Sequence, residues 1–252
     1  MSLIRTRPEE KGADIPLRIY SNPICPYAQR ARLIAAFKGV KHEIINVHLK
    51  EKPQWYLDDI NPYGLVPTIE HNGHLIRESL VTFEYIDEVF GDSHSWPTDP
   101  YKKAQAKLLL SDFGDRFTPN YYKYYRNAQD ENTPKLLQKY FKSVEELIAQ
   151  NGGPFIFGKN VSAIDLLIWP WFERLPALFT HAPELKTLYS VDSVPLLIKW
   201  DAAMRETDAV KSTITPAERM TAFLANALSN GGKHDYSLLN IDGLKIYTKE
   251  TE

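Results

Sequence analysis

One cysteine in 252 residues means that no intrachain disulfide can brace this fold, so its stability has to come from packing. That residue, Cys25, lies in Ser21-Asn22-Pro23-Ile24-Cys25-Pro26-Tyr27-Ala28. An alternating apolar stretch over 15–20 precedes it, and helical apolar spacing over 28–37 follows. A cysteine at a strand-to-helix junction sits beside spare backbone N–H groups and the positive end of a helix dipole. Both favour thiolate over thiol. Pro26 suits the first helical position, where a missing N–H costs nothing. The turn has the form of a Cys-x-x-Cys redox motif with Ala28 in place of the second cysteine. A mixed disulfide formed at Cys25 therefore needs an external thiol to release it.

Charge excludes some partners. Thirty basic residues against 32 acidic ones give a formal charge of -2, with no basic stripe, so nothing draws the chain to nucleic acid. No apolar run approaches the roughly 20 residues that span a bilayer. The segment 1–12 is charged and lacks the apolar region of a signal peptide. A single cysteine points to a reducing compartment, and the cytoplasm is the expected location.

Strand and helix signals alternate through the first 90 residues. Leu17–Tyr20 reads as a strand, 26–38 as a helix ended by Gly39, and His42–Val47 as a second strand. Pro53–Ile60 reads as a short helix or turn. Val66–Glu70 and His74–Arg77 flank His71-Asn72-Gly73, where Asn-Gly is a strong hairpin signal. A helix over Leu80–Phe90 closes at Gly91. His71 and His74 have no third ligand nearby in sequence, so no metal site is expected. Residues 92–101 contain two prolines and read as a linker. Beyond it, helical patterns cover 101–127, 133–150, 162–180, 192–206 and 215–229, which predicts a second, all-helical domain. The expected division is 1–91 (with 1–14 as an N-terminal extension), linker 92–101, helical domain 102–230 and tail 231–252. Ser162 and Asp165 have capping-box spacing, with Val161 and Leu166 placed as a hydrophobic staple.

Several residues of the first domain offer complementary chemistry. Val66-Pro67 stands before a strand, and a cis bond there would free the backbone to pair with an extended peptide; sequence leaves the isomer open. Ser79 reads as the N-cap of the next helix, or as a hydroxyl that joins free N–H groups in holding a carboxylate. Leu49 and Lys52 follow the second strand. Together they supply an ammonium, a helix N-terminus, a strand edge and a thiolate, which is what a small zwitterionic tripeptide would need.

Cys25-Pro26-Tyr27-Ala28, Leu49-Lys50-Glu51-Lys52-Pro53, Asn61-Pro62-Tyr63-Gly64-Leu65-Val66-Pro67, Glu78-Ser79 and the run from Ser162 to Arg174 occur in this order. In this the chain closely resembles an omega-class glutathione transferase, over about residues 12–238. The resemblance implies an α/β thioredoxin-like N-terminal domain, an all-α C-terminal domain, a homodimer, and glutathione as co-substrate without a metal. By the same resemblance Cys25 forms a mixed disulfide with glutathione. Pro26 and Tyr27 line the turn, and Leu49 and Lys52 lie by the glycyl end. Val66 pairs with the glutathione cysteine beside Pro67, and Glu78 and Ser79 hold the γ-glutamyl end. Tyr121, Tyr125, Arg174 and Phe223 would flank an acceptor pocket, although helix packing explains the tyrosine run 121–125 as well. Met220 and Ala227 stand where some relatives carry aromatic residues.

The implied activity is thiol transfer or reduction, on glutathionylated thiols, dehydroascorbate or methylated arsenicals. A glutathionyl-hydroquinone reductase is a near alternative. A non-catalytic binding protein, or one like the chloride-intracellular-channel proteins, is the rival from another class.

Overall fold

The computed structural model describes residues 1–10, 12, 14–91, 94–126, 132–179, 183–230 and 233–250. After a short strand β1 (Ser2–Ile4), the segment before Cys25 forms β2 (Leu17–Ser21), buried along its whole length. Helix α1 (Pro26–Phe37) leads from it to β3 (His42–Asn46), which pairs parallel to β2. A hairpin of β4 (Thr68–His71) and β5 (His74–Arg77) pairs through β4 antiparallel to β2. The sheet order is β3-β2-β4-β5. Asn72 and Gly73 turn the hairpin at φ +50° and +77°, the backbone that an Asn-Gly pair tolerates. This is the thioredoxin-like arrangement expected from the sequence, except that β4 begins at Thr68 and not at Val66.

Helix α2 (Ser79–Val89) packs against α1 and the sheet. Between these helices the buried Lys38 ammonium meets the Asp87 carboxylate at 2.9 Å. Tyr20, Ile45, Val47, Tyr56 and Ile60 form a second apolar cluster, with Trp55, Val66 and Tyr247 packed against it. The segment 53–60, read as a short helix or turn, contains a π-helical turn at Tyr56–Ile60.

The C-terminal segment belongs to the same contact unit, which comprises Met1–Ser93, Ser212–Thr215 and Asp235–Glu252. Its 3₁₀ turn, Tyr236–Leu239, buries Tyr236 and Leu239. Strand β6 (Lys245–Tyr247) then pairs parallel to β1, Ser2 opposite Lys245. Three-residue strands carry too little alternation to be seen in a sequence.

The second unit, His94–Lys211 with Pro216–His234, is helical in its described residues. Helix α3 (Pro100–Asp112) starts inside the expected linker, with Asp99 capping it through the Lys102 N–H. The single helix expected over 101–127 is divided by a π-helical turn, Phe113–Phe117, before α4 (Thr118–Arg126). Then follow α5 (Thr133–Asn151), α6 (Ala163–Leu178), α7 (Pro183–Leu188), α8 (Pro195–Glu206), α9 (Asp208–Thr213) and α10 (Ala217–Ser229). The six-residue helices α7 and α9 are too short for periodicity to reveal.

Helix α6 is apolar nearly all round and buried along almost its whole length, which makes it the axis of the unit. Phe172 stacks on Phe117 at 5.7 Å and meets Trp200 edge-on at 5.0 Å, while Phe113 meets Trp171 at 4.9 Å. At its start Asp165 Oδ2 accepts from the Ser162 N–H at 2.8 Å and the Ser162 hydroxyl at 2.5 Å. Asp165 Oδ1 also accepts from the Ile156 N–H at 3.0 Å and from Trp200 Nε1 at 2.7 Å. The cap therefore anchors a loop and another helix as well. No helix of the described residues is long and apolar enough to cross a membrane.

Candidate active site

Cys25 is the N-cap residue of α1, in extended backbone (φ −80°, ψ 116°), with Pro26 at the first helical position. It is partly exposed. Asn22, fully buried, builds the turn beneath it. Its carbonyl accepts from the Cys25 N–H at 3.2 Å, and its Oδ1 accepts from the Ile24 N–H at 3.1 Å. Its Nδ2 donates to the Val47 carbonyl at 2.8 Å and to the Tyr236 hydroxyl at 3.0 Å.

The Cys25 sulfur lies 4.0 Å from the Val66 carbonyl oxygen, and the Val66-Pro67 bond is cis. The loop that presents Val66 is fixed from below. The Tyr56 hydroxyl donates to the Leu65 carbonyl at 2.6 Å and lies 3.2 Å from the Thr68 hydroxyl. Asn61 Nδ2 reaches the same two oxygens at 2.9 and 3.1 Å. The sequence motif contained Asn61, but its partner Tyr56 had no signal.

A cleft of about 240 Å³ opens here, lined by Tyr27, Leu65, Val66, Pro67, Glu78 and Ser79. All but Leu65 were singled out from the sequence. Of the two readings of Ser79, as N-cap of α2 or as a hydroxyl free to meet a carboxylate, the structure does not bear out the first. Glu78 occupies the cap position, at φ +69° and ψ 124°, and Ser79 is the first helical residue. Its hydroxyl instead accepts from Arg30 Nη1 at 3.1 Å. Arg30 is buried, and its guanidinium carbon lies 5.6 Å from the centre of the Tyr27 ring. A cation behind the hydroxyl, beside an exposed helix start, suits a carboxylate ligand. Backbone at positive φ outside glycine costs about 1–3 kcal/mol and is concentrated at functional sites.

Leu49 and Lys52 do not line this cleft. They are joined to each other through the Lys52 ammonium, which donates to the Leu49 carbonyl. Burial lowers the Lys52 pKa. The Lys52 stem runs over Gly64, where a Cβ would lie 2.8 Å from Lys52 Cδ and 3.0 Å from a Leu57 methyl. Gly64 also has φ +63°. Gly64→Ala is therefore expected to cost about 1–2 kcal/mol and to displace the Lys52 stem, measurable as a lower melting temperature.

His48 Nδ1 accepts from the Glu51 N–H at 2.8 Å and the Lys50 N–H at 3.3 Å, which requires a neutral ring. Burial lowers its pKa in the same sense. Burial also pushes the Tyr236 phenol up to about 12.

The four residues expected around an acceptor all lie in the helical unit. Tyr121, Arg174 and Phe223 are buried and Tyr125 is half-buried. Tyr121 packs on Phe117 at 6.0 Å, Phe223 lies 5.4 Å from the His234 ring, and Arg174 Nη1 donates to the Pro170 carbonyl. Among the described residues, no three His, Cys, Asp or Glu side chains are grouped as metal ligands. His71 Nδ1 lies 2.8 Å from the Tyr85 hydroxyl.

Known proteins resemble this chain along most of its length. Residues 24–89 match the family model of the glutathione S-transferase N-terminal domain, and residues 100–214 that of the C-terminal domain. Glutathione S-transferase omega-1 of Rattus norvegicus is 37% identical over 88% of this chain and 90% of its own. The Mus musculus omega-1 protein is 39% identical, over 82% and 84%. Among solved structures, glutathione transferase Omega 3C from Trametes versicolor superposes with a TM-score of 0.69. It is 26% identical, and the match covers 87% of this chain and 93% of that one. With both domain models matched and relatives of this likeness along most of its length, the chain belongs to the omega class of glutathione transferases, enzymes whose co-substrate is glutathione.

Proposed function

We propose that the enzyme is a thiol transferase and reductase in which Cys25 alternates between a thiolate and a mixed disulfide with glutathione. The observation that carries this reading is a sulfur at a helix N-terminus, 4.0 Å from the carbonyl of the residue before a cis proline. In the first step the Cys25 thiolate attacks the glutathione sulfur of a glutathionylated thiol. Its S–S bond breaks, the acceptor leaves as a thiolate, and Cys25 carries glutathione. A second glutathione thiolate then attacks that disulfide, leaving as oxidised glutathione and restoring the Cys25 thiolate. With dehydroascorbate, two glutathione molecules supply the two electrons and are oxidised to one disulfide.

In this reading Tyr27, Val66, Pro67, Glu78 and Ser79 line the binding cleft, and Pro26 starts the helix that carries the sulfur. The γ-glutamyl carboxylate lies at Ser79, backed by Arg30. Leu49 and Lys52 meet the glycyl end. Tyr121, Tyr125, Arg174 and Phe223 belong to acceptor recognition. The enzyme works as a homodimer in the cytoplasm, where reduced glutathione is abundant; sedimentation tests the first point and cell fractionation the second. Incubation with oxidised glutathione followed by mass measurement tests the chemistry. One adduct on Cys25, removed by reduced glutathione, is expected; an unmodified Cys25 would sink the reading.

Lys52 gives this reading a pH signature. Burial lowers its pKa, so it keeps its charge below that lowered value and loses it as pH rises, earlier than an exposed lysine would. Affinity for the glycyl carboxylate is expected to fall on the alkaline side. Lys52→Arg should hold it to higher pH, as judged by calorimetric titration of both proteins.

A further inference from the structure

We propose that the C-terminal segment is part of the glutathione site, with Tyr236 as a positioning residue that ties the Cys25 turn to the loop 48–52. The proposal rests on the reading above, that Leu49 and Lys52 of this loop meet the glycyl end of glutathione. The Tyr236 hydroxyl accepts from Asn22 Nδ2 at 3.0 Å and from the Leu49 N–H at 3.3 Å. These partners are 214 and 187 residues away in sequence. One belongs to the turn that holds Cys25, the other to the loop that carries Lys52.

Three further bonds fasten the same loop to the same segment. The His48 N–H donates to the Tyr247 carbonyl at 2.8 Å, while the Thr248 hydroxyl and the Lys249 N–H donate to the Glu51 carbonyl at 2.9 and 3.0 Å. The His48 and Tyr236 rings meet edge-on at 5.2 Å. A segment that served packing alone would be satisfied by a phenylalanine at 236. Here a buried hydroxyl joins two elements that receive different ends of one ligand. Without the hydroxyl, the Asn22 side chain still has the Val47 carbonyl and the Ile24 N–H, whereas the Leu49 N–H is left without its tyrosine acceptor. The damage should therefore fall on the glycyl side.

The test is Tyr236→Phe, which keeps the ring and removes the hydroxyl. Dissociation constants are measured for glutathione and for γ-glutamylcysteine, which lacks the glycyl residue, with Cys25 alkylation reporting on the turn. Glutathione is expected to bind about tenfold more weakly and γ-glutamylcysteine less than about twofold, with the alkylation rate little changed. Thr248→Val removes a separate tie from the same segment, and it should shift the discrimination in the same direction by a smaller factor. It stands in if the first variant does not fold. Equal weakening of both ligands, or of neither, would overturn the proposal. Wild-type protein that binds neither ligand would instead remove the functional reading on which it rests.

Discussion

Cys25→Ala is expected to abolish thiol transfer, reducing turnover of a glutathionylated substrate by at least about a thousandfold. The chain holds no second thiol to take over. The partial exposure of Cys25 means that its loss leaves no large cavity, so the melting temperature should stay within about 2 °C of the parent. Such an inactive but folded variant separates chemistry from stability. Cys25→Ser should lose transfer as completely, because an alcohol is a poor nucleophile toward sulfur at neutral pH. Its hydroxyl can donate a hydrogen bond to the thiolate of bound glutathione, so conjugation of an electrophilic aryl halide is expected to rise above the parent. An alanine variant that still reduces mixed disulfides at the parent rate would place the chemistry elsewhere.

Asp165→Ala is expected to be strongly destabilising, at about 3–5 kcal/mol. The carboxylate accepts from two backbone N–H groups, a serine hydroxyl and an indole N–H. Its removal strands those donors in a region where Asp165 itself has no solvent exposure. Burial pushes the Asp165 carboxyl up in pKa, and the donors pull it back. Ser162→Ala removes one hydroxyl, which donates to Asp165 Oδ2 and accepts from the Asp165 N–H, and should cost about 0.5–2 kcal/mol. For a chain of this size the alanine variant at 165 should melt about 10 °C lower, while Ser162→Ala should lose only a few degrees. Scanning calorimetry decides it, and equal losses for the two would show that Asp165 acts only as a helix cap.

Where a residue's role is local, the sequence revealed it. Asn72-Gly73 sets a hairpin by its own backbone preference, and Ser162 with Asp165 announces a helix start. The Cys25 turn, Val66-Pro67 and Ser79 stand out by their local motifs, whereas Tyr27 enters only through the family resemblance. What escaped depends on partners far along the chain. Asp165 read as a simple cap because Ile156 and Trp200 reach it only through the fold. Ser79 read equally as a cap or as a carboxylate-holding hydroxyl, because local sequence cannot show Arg30 of the neighbouring helix holding its hydroxyl, or Glu78 at positive φ. The buried Tyr56–Asn61–Thr68 network and Asn22 were missed for the same reason, since satisfied polar groups leave no periodic trace. The π-helical turns at 56–60 and 113–117 also have no compositional mark.

The parallel ribbon of β1 and β6 has a bearing on solubility. Strand β3 is an outermost strand of the main sheet, with Ile44 partly open to solvent. An unguarded outer strand is a template for adding foreign strands and so for fibril-like association. Tyr247 bridges Val47 just past the end of β3, and its carbonyl takes the His48 N–H. Cleavage between Tyr236 and Lys245 would remove that bridge, freeing the backbone at Val47 and His48, and is expected to favour self-association of otherwise folded molecules.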